Sequence, residues 1–419
     1  MNRTGCLLMA AAFRAFGAKA QVMETYQGLE LGKEFTSGKE CFPCQVTTGD
    51  ILHFMAREKE RLSEDFDARD YVYFMPEAGG PCRFGMYNKF QRIVLDSFPH
   101  LQDLKIGSLT SDNAYSPVGM IREDQVVDFR KTAYLSVVVA DILDRLLWRI
   151  RPYEKEPGAA DAFMERAIET LSRSFERHGQ GKGFSSILDD LERTAQEGAA
   201  LINPDMPRKP LIGIVGEIYL RTHTQANQDI IRMLERYGAE VVNASIAEWI
   251  NYTAYDCMRR ARIDLRRNLR LLRYKEIRDC LSKIAGYGLE LFYRQLKMKQ
   301  GYKRIRHIID LPGDHNVGQL ERVLLEEDLF SFDVGTEACL SIAGVIGYMR
   351  EGYNGVVNVY PFTCMPSTIT SAVVRPVANR HRLPYLDTPC DGTFQPGREA
   401  AVRTFMYQAH QHMKRNGRK

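Results

Sequence analysis

Residues 211–216 read Leu-Ile-Gly-Ile-Val-Gly, a run without one polar side chain between Pro210 and Glu217. With no polar face to turn toward water, a strand here has to be covered on both sides, as in a parallel sheet flanked by helices. Similar texture returns in "AEVVNAS" (239–245), "GVVNVYPF" (355–362) and "LPYLDTP" (383–389). Helical patterns separate these runs: "NQDIIRMLERYG" with its glycine stop, a stretch near 337–351, the segment after the loop "TCMPS", and a last helix over about 397–414. Strands alternating with helices of about ten residues or more predict a parallel α/β sheet.

The first 130 residues carry the same rhythm. A helix near 7–16 leads into an expected strand "AKAQVMET" (18–25), and a helix near 46–62 has Thr47 and Thr48 as capping candidates. The strand "YVYFMPE", the helical "FGMYNKFQRIVLDSF" and the strand "DLKIGSLT" follow. Residues 124–200 read as mostly helical and end in "INPDMPRKP", whose prolines and charges suit a linker. The expected organisation is an N-terminal α/β domain with a helical extension (1–202) and a C-terminal α/β domain (210–419) with a basic helical insertion at about 250–305. The chain opens with a helix where doubly wound domains open with a strand. Either the first half lacks an edge strand or the chain is a shortened form of something longer.

No run approaches the roughly 18 apolar residues of a membrane span. Arg14 interrupts the apolar N-terminal stretch at helical spacing, which favours a helix over an export leader and predicts a cytoplasmic protein. In that setting the nine cysteines are expected to be ligands, redox groups or buried thiols rather than disulfides.

In open parallel sheets, ligands bind beyond the carboxyl ends of the strands. Cys82 follows "YVYFMPEAGGP", Cys364 follows "GVVNVYPFT" and Cys390 follows "PYLDTP", each past an expected strand end. Cys41 and Cys44, in "GKECFPCQVTTGD", precede a helix at the same rim. Cys339 lies near a helix start, as a ligand or a buried thiol, whereas Cys6, Cys257 and Cys280 read as structural. A redox dithiol would follow a strand directly, but the loop-like "LELGKEFTSGKE" precedes this pair. Zinc would need a second metal-spaced pair, and none is present. One C-x-x-C plus dispersed cysteines after strand ends suits an iron–sulfur cluster, and the Gly/Pro-rich loops "EAGGPCRFG" and "PFTCMP" allow close backbone approach.

Other side chains have two readings each. Glu217, past the strand at 211–216, either shuttles protons or caps the next turn and pairs with Arg221. Arg83 either offsets the charge of a thiolate cluster or makes a surface ion pair, and His223 and Asn227 could face the cleft. Residues 257–306 hold 16 Arg and Lys against four Asp and Glu, suggesting a surface for an acidic partner more than a nucleic-acid reader.

The motifs "TSGKECFPCQVTTGD", "MPEAGGPCRFGMYN", "IGIVGEIYLR" and "GYNGVVNVYPFTCMP" resemble the double-cubane cluster proteins. These belong to the superfamily of the iron–sulfur components of 2-hydroxyacyl-CoA dehydratases. The likeness spans about 7–412 and is greatest to the C-terminal region of large fused acyl-CoA dehydratase activases, where an ATPase module precedes it. The resemblance implies two Rossmann-like domains with a cluster in the interdomain cleft, and an activase that delivers low-potential electrons. The family's motif cysteines map to Cys41, Cys44, Cys82 and Cys364. A double cubane ([8Fe-9S]) calls for about six thiolates, with Cys339 and Cys390 to complete the set, and a [4Fe-4S] cluster for about three or four. No GxxxxGK[ST] loop is present, so the ATP-dependent activase is expected to be a separate protein. The implied protein is a homodimeric oxidoreductase acting on a small molecule, with neither nucleic acid nor membrane as partner. A 2-hydroxyacyl-CoA dehydratase-like component with one [4Fe-4S] cluster is the first rival, and a non-catalytic metal-binding or cluster-transfer protein the second.

Overall fold

The computed structural model describes residues 2–107, 121–181 and 184–417. The chain is α/β with parallel sheets. Its first part comprises α1 (Arg3–Ala15), α2 (Leu29–Glu34), α3 (Phe42–Leu62), β1 (Val72–Phe74), α4 (Tyr87–Asp96) and β2 (Lys105–Gly107). Three helices follow: α5 (Val126–Ile150), α6 (Ala159–His178) and α7 (Phe184–Ala199). The second part runs β3 (Leu211–Gly216), α8 (Ile230–Arg236), β4 (Glu240–Asn243), α9 (Ile246–Arg270), α10 (Tyr274–Ile305), α11 (Val317–Glu326), α12 (Glu337–Arg350), β5 (Gly355–Pro361), α13 (Met365–His381), β6 (Tyr385–Cys390) and α14 (Arg398–Asn416).

The second part forms a four-stranded sheet in the order β4-β3-β5-β6, every pair parallel. All six residues of β3 are buried, as their unbroken apolar character requires. Ile212 lies opposite both Gly355 and Val241, which makes β3 a central strand. Among the described residues the first part holds only a two-stranded sheet, with Val72 opposite Lys105.

Several expectations are corrected. Residues 18–25 form no strand. Arg14 bonds Ala20 O at 2.9 Å and Thr25 bonds Asp50 at 2.6 Å, so side chains rather than a ladder hold this stretch. Helix α3 starts at Phe42, so Thr47 and Thr48 lie inside it and Cys41 is its N-cap. Pro43 in the first turn costs no hydrogen bond there, because the first amides of a helix have no intrahelical partner.

The helical extension and the basic insertion share one core. Leu8 and Ala11 of α1, Leu143 and Leu146 of α5, Phe163 and Phe175 of α6, and Met298 and Ile305 of α10 all belong to it. The Asp141 carboxylate caps α9, accepting from the Ile246 and Ala247 amides at 3.0 and 2.8 Å. Near the cysteines, α2 and α3 cross with their backbones in contact. A Cβ on Gly49 would stand 1.9 Å from Gly28 O, and one on Gly32 would stand 2.0 Å from Gln45 O. Only glycine fits such a crossing, and it fixes the pose of the first turn of α3.

Candidate metal centre

Four thiols line one cavity of about 3120 Å³: Cys41, Cys82 and Cys364 from separate loops, near Tyr87 and Glu217, and Cys6 from α1. Cys41 caps α3 and Cys364 caps α13, each with a proline in the helix's first turn. The free amides at these helix starts favour thiolate over thiol. Cys82 precedes a 3-10 turn at Arg83–Met86.

Arg83 ties the three loops together. Its guanidinium donates to Lys39 O at 2.6 Å, two residues before Cys41. It also donates to Thr363 O at 2.8 Å, one residue before Cys364. Neither reading of Arg83 from sequence included this clamp on backbone carbonyls. The clamp holds strained chain: Cys41 has φ 94° with ψ 144° and Thr363 has φ 65°, conformations that non-glycine residues rarely adopt.

Burial pushes the Cys41 thiol up to about 11, against a hydrogen bond from Tyr87 that lowers it. Burial likewise raises Cys82 to about 12, and raises Cys364 strongly. The thiols are therefore neutral near pH 7 unless a cation stands among them, and the set is not poised as a nucleophile.

Glu217 is half-buried beside them and caps the turn that follows β3, accepting from the Tyr219 and Leu220 amides at 3.0 and 2.9 Å. The structural reading of Glu217 thus has its bonds. Glu337, which sequence reasoning missed, accepts from the Ile218 amide at 2.9 Å. Burial raises both carboxyls, and the charge of Glu217 helps raise Glu337 to about 8 against the opposing pull of Arg221. A proton can reside on this pair near neutrality. The sequence signal for Glu337 was an acid in the first turn of a helix capped by Thr336.

His223 and Asn227 also line the cavity. Burial lowers His223 to about 3, so its ring is neutral, and its Nε2 lies 2.9 Å from Thr25 Oγ1. Asn227 donates to Leu220 O at 2.7 Å.

The remaining candidates do not line the cavity. Cys44 is fully buried in the core beneath, 3.9 Å from Thr48 Oγ1, and burial pushes it up to about 12. Cys390 is the last residue of β6 rather than beyond it, because an edge strand tolerates Pro389 within the ladder. Its sulfur accepts from Arg398 at 3.5 Å. Cys339 lies inside α12 and donates to Ser331 O at 3.6 Å. Among the described residues no three His, Cys, Asp or Glu side chains converge tightly enough to hold a single ion.

Comparison of the chain with known protein families, with curated proteins and with solved structures returns no match.

Proposed function

We propose that the chain is an iron–sulfur protein whose cluster is held by Cys41, Cys82 and Cys364. On this reading it accepts low-potential electrons from a separate ATP-hydrolysing activase and reduces a small molecule in the cavity. One observation carries the reading: of the four thiols that line the cavity, three far apart in sequence sit on loops clamped together by a single guanidinium. When bound, the cluster would supply one-electron reduction. The chain's own residues do the rest. Helix starts and Arg83 favour thiolate charge and fix the loops, and the neutral His223 and Asn227 form polar wall. The Glu217–Glu337 pair holds a proton at the pocket wall, which Glu217 lines.

Three cavity thiols meet the needs of one four-iron cage with an open corner. A double cubane would need Cys44, Cys339 or Cys390 to turn toward the cavity. The family likeness, the division into two Rossmann-like domains at 203–209, the cytoplasmic location and the homodimer belong to the same proposal. Purification without oxygen, reduction with titanium(III) citrate and electron paramagnetic resonance test it. A reduced-cluster signal lost in Cys82→Ser is expected, and a colourless, silent protein would refute it.

A further inference from the structure

The basic insertion folds as a hairpin of α9 and α10. Its base is fixed to the body: Gly301 packs on Ile142 and Val138, and Arg304 pairs with Asp189 and Glu192. Its tip is different. Nine of the 17 large apolar side chains exposed among the described residues fall between 263 and 296, too concentrated for chance scatter. At the turn itself Leu269, Leu271, Leu272 and Tyr274 are 52, 50, 67 and 76% exposed. Leu272 takes φ 51°, so the chain reverses with two adjacent leucines on a convex end.

Around them stand Arg266, Arg267, Arg270, Arg273, Lys275 and Arg278 against Glu276, with Asp264 and the Lys283-paired Asp279 at the flanks. The hairpin cations in ion pairs are others: Arg259, Arg260, Lys283, Arg294 and Arg304. The six at the tip are in no ion pair among the described residues.

We propose that this tip docks on an anionic lipid bilayer, with Leu271, Leu272 and Tyr274 at the headgroup–acyl boundary and the arginines on lipid phosphates. Basic clusters on amphipathic helices bind anionic leaflets, aliphatic side chains insert, and tyrosine favours the interface. Among the described residues no helix is long and apolar enough to cross a membrane, and surface attachment needs none, so the proposal departs from the sequence expectation of no membrane partner without requiring a span. A nucleic acid would be met by several stacking aromatics, whereas Tyr274 is the one aromatic beside three exposed leucines at the turn. A second copy would bring two cationic tips together, and like charges repel. This inference is independent of the iron–sulfur reading.

The test is co-sedimentation of the full chain with vesicles of mixed phosphatidylcholine and phosphatidylglycerol, in dilute and concentrated NaCl. Binding is expected in dilute salt, weakened about tenfold or more by concentrated salt or by pure phosphatidylcholine. Leu271→Glu/Leu272→Glu and Arg270→Glu/Arg273→Glu should each weaken it about tenfold or more, with unchanged circular dichroism. Three outcomes overturn the proposal. The first is no binding to the mixed vesicles. The second is binding indifferent to the leucine variant, which marks a general polyanion site. The third is a solution dimer split by the leucine variant with no vesicle binding.

Discussion

Replacing Arg83 by alanine removes two charge-assisted bonds to backbone carbonyls, at 2.6 and 2.8 Å. Bonds to charged groups contribute about 1.5–3 kcal/mol each, and the half-exposed position of Arg83 reduces the pair to about 2–3 kcal/mol. The strain at Cys41 and Thr363 is of the same order, about 1–3 kcal/mol for each residue. Without the clamp both residues are expected to relax toward ordinary backbone angles, carrying their thiols apart. Global stability should change little, because the clamp joins surface loops rather than core. The local loss should appear as faster release of iron to a chelator, by about 10- to 100-fold, since 1.4 kcal/mol is a factor of ten. Arg83→Lys separates geometry from charge. A lysine keeps the positive charge but cannot fork to two carbonyls, so it should rescue only part of the effect. If Arg83→Ala released iron at the wild-type rate, the clamp would not hold the site. Full rescue by lysine would return Arg83 to its electrostatic role.

Two further outcomes follow from packing and burial. Gly49→Ala should cost about 1–3 kcal/mol in urea unfolding, because its Cβ would meet Gly28 O at 1.9 Å, and it should lower iron content by displacing the first turn of α3. An unchanged midpoint would mean that the α2–α3 crossing is not close. His315 lies 3.6 Å from Glu248 and 2.9 Å from Glu351. Burial alone would lower it, but these carboxylates raise it to about 10. Its contribution, on the order of 2–4 kcal/mol, should be complete below about pH 6.5 and disappear as pH rises toward about 10. His315→Gln should therefore flatten stability across that window, and an unaltered pH profile would contradict the ion-paired histidine.

Much of the second half was legible because its strands are buried on both faces. β3 shows this as a continuous apolar run and β5 as one broken only by the buried Asn358, and glycine and proline mark their ends. The misread strand at 18–25 has plausible alternation, but a strand needs a neighbour, and side-chain bonds to Ala20 O and Asp50 hold the chain instead. The strand-end rule found Cys82 and Cys364, whose placement depends on topology alone. It failed at Cys390, where the ladder runs on for one more residue than the proline suggested. Cys44 was beyond reach, because which way a first-turn side chain points depends on the exact helix start. The Arg83 clamp spans 44 and 280 residues, and the Glu337 bond to Ile218 spans 119. Contacts that distant leave no local periodicity to read.

The most direct measurement is iron and acid-labile sulfide per chain after strictly anaerobic purification, for wild type and for serine variants of six cysteines. The account predicts about four irons with matching sulfide. It further predicts loss of the cluster in Cys41→Ser, Cys82→Ser and Cys364→Ser, and retention in Cys339→Ser and Cys390→Ser, with Cys44→Ser affecting it only through the core. About eight irons, with Cys339→Ser or Cys390→Ser also losing metal, would shift the reading to the double cubane. Less than one iron per chain, or stoichiometric zinc indifferent to Cys41, Cys82 and Cys364, would contradict it.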